Sequence, residues 1–135
     1  MPNLHQTFTK GERLCSRKAI EELFTNGSSF YYSPFQFIWT KTENEIPFPA
    51  QVAVSVSKRG FKKAVDRNLI KRRMREAWRK HKHILYEFLE TKKIRIVFII
   101  IYKDSSILPF GNIDTSLKKA TDKLLAEISS KTTNC

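Results

Sequence analysis

Few residues in this chain are spaced to do chemistry on a substrate. Its 13 Asp and Glu are scattered, with no cluster suited to two metal ions as in protein nucleases. His81 and His83 flank Lys82 inside a basic stretch, a poor setting for a metal or an acid–base pair. Cys15 and Cys135 sit near opposite ends with neither a pairing motif nor metal-ligand spacing. No Ser/His/Asp or Cys/His set is suggested. The sequence therefore offers no catalytic residue and no metal ligand. What it offers is phosphate chemistry: "VDRNLIKRRMREAWRK" (Val65 to Lys80) holds seven Lys or Arg in sixteen residues, opposed only by Asp66 and Glu76.

Like charges one turn apart destabilise a helix by a few tenths of a kcal/mol per pair, roughly, so a partner outside the chain is expected to offset them. Placed at about 100° per residue from Arg67, the residues Asn68, Lys71, Arg72, Arg75 and Arg79 fall on one arc, with Ala77, Ile70, Met74 and Trp78 on a neighbouring one. One face is thus predicted to be buried and a second to be almost purely cationic. From Lys58 to His83 there are twelve Lys or Arg against two acids, which accounts for +10 of the formal +12. A solvated charged face usually interleaves its signs; this one does not. Between Arg67 and His83 Arg outnumbers Lys five to three, which favours phosphate forks over diffuse attraction. A lipid surface would want exposed apolar groups beside the charge, and Met74 and Trp78 are committed to the core.

The elements that must carry this face follow from patterning. A chain of 135 residues with 41% hydrophobic residues is one domain able to bury a core. Residues 1–12 are polar and unpatterned and are expected to form a flexible arm, 13–130 the single domain, and 131–135 a tail. A first helix is predicted from an N-cap at Ser16 to Thr25, stopped by Asn26-Gly27. "FYYSPFQFIWT" (Phe30 to Thr40) reads as one aromatic strand whose start Pro34 demotes to an edge or bulge. "QVAVSVS" is a second strand, with Val52, Val54 and Val56 on one side and Ala53, Ser55 and Ser57 on the other. "KRGFKK" is a basic loop bearing Lys58, Arg59, Lys62 and Lys63. "IRIVFIIIY" has the pattern of a strand covered on both faces. Ile113, Leu117, Ala120, Leu124 and Ile128 mark a closing helix, capped by Asn112 or Asp114. The order is α-β-β-α-β-α, an α+β fold with helices packed on a sheet. Few cysteines, an N-terminus without a signal-like core and no apolar run near the ~18 residues of a membrane span predict a soluble cytoplasmic protein.

"AVSVSKRGFKKAVDRNLIKRRMREAWR" (Ala53 to Arg79) resembles the protein component of bacterial ribonuclease P. That family carries a Ser-Val-Ser/Pro-Lys strand end, a basic loop, then Ala-Val-x-Arg-Asn-Arg-x-Lys-Arg-x-x-Arg-Glu on a helix. Here Ala64, Val65, Arg67, Asn68, Lys71, Arg72, Arg75 and Glu76 match it. The resemblance runs from about Arg13 to Tyr102. Leu69 stands where the family has a second Arg, outside the cationic arc, and Ile20 replaces the first Phe of the family's helix motif.

The resemblance implies a two-layer α/β sandwich with a left-handed βαβ crossover. It also implies a subunit of the ribonucleoprotein endonuclease that removes the 5′ leader from precursor tRNA. Its partners would be ribonuclease P RNA, which is the catalyst and holds the magnesium, and precursor tRNA, with no cofactor on the protein itself and no membrane. The Arg67–Arg79 face and the basic loop would contact RNA. A cleft between the first helix and the sheet would hold the single-stranded leader, drawing on Ile20, Phe24, Phe35, Phe37, Trp39, Ser55 and Ser57. Single strands bind to aromatic platforms beside cations; Trp39, near its strand end, is expected exposed, whereas Phe35 and Phe37 can equally be core. The rival functions are a ribosome-associated or general RNA-binding protein without a role in cleavage, and a stand-alone nuclease.

Overall fold

The computed structural model describes residue 8, residues 10–43 and residues 45–133, with side chains through residue 130. A 3-10 turn over Lys10–Glu12 leads into helix α1 (Arg17–Asn26), strands β1 (Ser28–Tyr32), β2 (Phe35–Lys41) and β3 (Ala50–Val56), helix α2 (Ala64–Lys92), strand β4 (Ile96–Tyr102) and helix α3 (Phe110–Thr133). The sheet order is β1-β2-β4-β3. β1 and β2 are antiparallel, as are β2 and β4, while β3 and β4 run parallel and are joined by α2. The mixed α+β architecture is the expected one, with one strand more than the expected order.

The extra strand comes from Pro34. Proline has no N–H to give to a ladder, and Ser33–Pro34 forms a two-residue turn that pairs Tyr32 with Phe35 and Phe30 with Phe37. The single strand expected over Phe30–Thr40 is therefore a hairpin, and β2 is an interior strand instead of an edge. The expected arm over residues 1–12 falls largely on residues 1–7 and 9, outside the described residues. Lys10–Glu12 do not belong to an arm: Glu12 is buried and the carbonyl of Gly11 accepts a bond from Gln51 Nε2 at 3.0 Å. The expected tail from residue 131 is helical to Thr133.

Side-chain alternation divides the sheet between two cores. Phe30, Phe35, Phe37, Trp39, Phe98, Ile100 and Tyr102 face α2 and α3. There Ile70, Met74, Ala77 and Trp78 of α2, and Ile113, Leu117, Ala120, Leu124 and Ile128 of α3, are fully buried as the helical spacing predicts. Phe37 stacks between Phe30 (5.1 Å between centroids) and Phe98 (5.9 Å), and Trp78 meets Phe98 edge-on at 5.3 Å. Burying such a ring is worth about 1.5–3 kcal/mol. On the opposite face α1 lies over Ile38, Val97 and Ile99 through Leu23, and Leu14 joins that cluster. β4, covered on both faces, is buried at six of its seven positions.

Both ends of α1 behave as read. Ser16 Oγ accepts from Ala19 N at 3.2 Å, and Gly27 N donates to Leu23 O at 2.8 Å. Gly27 is where the chain passes from helix to sheet at close quarters. A Cβ there would stand 2.5 Å from Leu23 O and 2.7 Å from Ile38 Cγ2. Gly27→Ala is therefore expected to cost about 1–3 kcal/mol despite alanine's better helix propensity, measured by thermal unfolding; an unchanged melting temperature would refute the close approach. The cap expected at Asn112 or Asp114 is corrected: α3 begins at Phe110, and Pro109 O accepts from the amides of Asn112 and Ile113.

Candidate nucleic-acid interface

The loop after β3 is built to hold cations outward. Arg59 N donates to Ser57 Oγ (3.1 Å) and Phe61 N to Ser57 O (3.1 Å), closing a turn. Phe61 plugs into the core 6.0 Å from the Tyr102 ring, leaving Lys58, Arg59, Lys62 and Lys63 exposed around it. Arg67 then works inward: its Nη1 donates to Phe61 O at 2.7 Å and Lys62 O at 3.0 Å. It is a strut between helix and loop before it is a ligand for anything else.

Along α2, Asn68, Arg72 and Arg75 are exposed, while Lys71 and Arg79 are half-buried. Arg79 forks onto Glu76, Nε to Oε1 at 2.9 Å and Nη2 to Oε2 at 2.6 Å. That fork holds the Glu76 carboxyl below the usual carboxylate range. Arg73, on the flank, donates to Leu108 O at 2.7 Å and ties the segment before α3 to the helix. Partial burial and the nearby charge of Arg13 both lower the affinity of Arg75 for its proton. Arg13 thus belongs to this face, which spacing along α2 had no means of revealing. It is seated by a parallel bridge to Val52, and Leu14 N donates to Val52 O at 2.9 Å.

The cleft lies on the α1 side of the sheet, and three residues assigned to it are not there. Phe35 and Phe37 are fully buried and Trp39 is only 2% exposed, all on the α2/α3 side. The alternation was right, but these rings, as the bulkiest set, fill the larger core. The α1 side instead carries the row Tyr31, Gln36, Ile101 and Ser55 across β1, β2, β4 and β3. Phe24 on α1 is 58% exposed and Tyr31 55% exposed. Gln36 Nε2 donates to Ser29 Oγ at 2.9 Å. Ile20 and Ser55 are half-buried; Ser57, past the strand end, serves the loop turn. At the β3 edge of this side lies a cavity of about 370 Å³, lined among others by Ile20, Ala53, Val54, Arg13 and Arg75. Tyr31 was missed because its face depends on the unread hairpin.

Among the described residues no three His, Cys, Asp or Glu side chains gather as a metal site, and no helix is long and apolar enough to cross a membrane. His81 Nε2 lies 2.8 Å from Asp114 Oδ1, joining α2 to α3. Cys15 is an exposed free thiol, and Cys135 lies outside the described residues.

A small α+β domain with an arginine-rich helix face beside an aromatic-edged cleft is of the class suited to a polyanionic partner. The sequence profile of the family described as Ribonuclease P matches residues 8–125, and the chain belongs to that family, the protein subunit of ribonuclease P. It is similar to the ribonuclease P protein component of Porphyromonas gingivalis strain ATCC 33277, 27% identical over 122 residues, which cover 90% of this chain and 89% of the relative. That of Chlorobium phaeobacteroides is 37% identical over 90 residues, covering 64% and 62%. In fold it resembles the ribonuclease P proteins of Thermotoga maritima (TM-score 0.65, 20% identity, 81% of this chain and 94% of that one) and Staphylococcus aureus (TM-score 0.64, 20% identity, 84% and 94%).

Proposed function

We propose that this subunit grips ribonuclease P RNA with the Lys58–Lys63 loop and the α2 face, and guides the 5′ leader of precursor tRNA along the α1 cleft. The observation that carries the reading is the Arg67 strut, which locks a cationic loop against a cationic helix face, so that little order is lost on binding. Lys71, Arg72 and Arg75 neutralise phosphates; Phe24 and Tyr31 offer faces for unpaired bases, with Gln36 and Ser55 able to hydrogen-bond their edges. On this reading the bond-breaking groups, and the magnesium that activates water, belong to the RNA, and the protein supplies position and charge in the cytoplasm.

Mixing the protein with ribonuclease P RNA and precursor tRNA at low magnesium should restore cleavage, and nuclease-treated protein alone should not cut. Replacing Lys71, Arg72 and Arg75 together with Ala should flatten the slope of log affinity for the RNA against log salt by about two to three units. The same change at Lys118, Lys119 and Lys123 on α3 should do much less. Equal slopes for both triples would mean diffuse attraction without a site.

A further inference from the structure

Between the segment holding Phe8 and Arg13 and the facing parts of α2 and α3 lies a second cavity of about 510 Å³. Its lining includes Arg13, Arg72, Arg75, Phe8 and Phe110. That volume falls within the range of about 300–1,000 Å³ typical of small-ligand sites. We propose that it seats one unpaired RNA nucleotide, with its phosphate among Arg13, Arg72 and Arg75 and its base against Phe110 and Phe8. The proposal rests on the reading that this face binds RNA, and adds to it a site for a base.

Three features favour a built site over a gap between side chains. First, the remaining walls are fixed: Arg73 is tied to Leu108 O and Arg79 to Glu76, so the carboxylate among the described lining residues is already paired. Second, both rings rest on the core while lining the cavity. Each also stands close to a cation, with Arg13 Cζ 5.5 Å from the Phe8 centroid and Lys80 Nζ 5.4 Å from that of Phe110. Aromatic platforms beside cations are what an unpaired nucleotide requires. Third, Phe8, Arg13 and Arg75 also line the cleft cavity beside Ile20 and Ala53. A strand lying in the cleft would therefore meet this seat next.

The test uses a fluorescent hexa-adenylate RNA and, in parallel, a twelve-pair RNA duplex. Phe110→Leu keeps apolar bulk but removes the ring face, and should weaken hexa-adenylate binding about 5- to 100-fold while leaving duplex binding unchanged. Phe110→Tyr should bind like the parent. Equal hexa-adenylate affinity for Phe110→Leu and the parent would overturn the proposal, as would an equal loss in Phe110→Tyr. Should Phe110→Leu fail to fold, adenosine monophosphate added to the unaltered protein should show NMR contacts between its base protons and the Phe110 ring; their absence would likewise overturn the seat. If the parent binds neither RNA, the reading beneath the proposal fails as well. If it binds the duplex alone, only the seat falls.

Discussion

Lys82→Met is expected to cost about 3–5 kcal/mol of folding stability, although a basic-stretch lysine would ordinarily be spared on a surface. Lys82 and Glu12 are each 1% exposed. They form an ion pair between α2 and the first turn, and Tyr86 Oη donates to the same Glu12 oxygen at 2.6 Å. Removing one partner strands the other charge away from water. The double change Glu12→Gln with Lys82→Met should recover most of the loss, since glutamine still accepts from Tyr86 and no net charge stays buried. Urea unfolding of the single and double variants decides it: a Lys82→Met cost below about 1 kcal/mol would mean the pair is not desolvated. The Tyr86 phenol is held above its usual range, first by burial and then by its bond to Glu12. Its contribution is therefore complete below the unfolded phenol value near ~10 and lost as pH rises past it.

Trp39→Ala should cost about 3–5 kcal/mol and weaken binding of precursor and mature tRNA alike wherever the variant unfolds. Phe24→Ala should behave in the opposite way. With its ring mostly in solvent, it should leave stability nearly intact and take about 1–3 kcal/mol from binding of leader-bearing precursor only. Trp39→Phe should be mild, because the indole Nε1 has no hydrogen-bond partner among the described residues and so none is lost. Thermal melting beside binding to the two RNAs separates these cases. A leader-specific loss in a fully folded Trp39→Ala would return that ring to the cleft.

The parts of the fold legible in the sequence were those with a strong single period. Ile70, Met74, Ala77 and Trp78, the α3 stripe and the all-apolar β4 could be placed because each repeats one spacing over several turns or positions. The aromatic run was legible in its alternation but not in its sides. Which face of Phe35-Gln36-Phe37 meets the larger core depends on where α2 and α3 pack, and that is a tertiary fact. Pro34 was read as weakening a strand, whereas it reverses the chain, and with that reversal Tyr31 comes to the cleft. Arg13 and Glu12 were out of reach for another reason: their partners on α2 are distant in sequence, and a charge carries no period to announce its mate. Lys82 illustrates the cost, since it counted toward a cationic surface although it is spent inside.

The parallel pairing of β3 with β4 sets an order of events during folding. Ala50 meets Ile96 and Val56 meets Tyr102 only after the whole of α2 has been spanned, so this closure is non-local and slow compared with the β1–β2 hairpin. The Lys58–Lys63 loop springs from the end of β3, and its Phe61 plug rests near Tyr102, the last residue of β4. A chain still emerging from the ribosome thus carries its cations before it has the seat that aims them. On the proposed reading, high-affinity capture of RNA should begin only once β4 has been made, and earlier contacts should be weak and salt-sensitive.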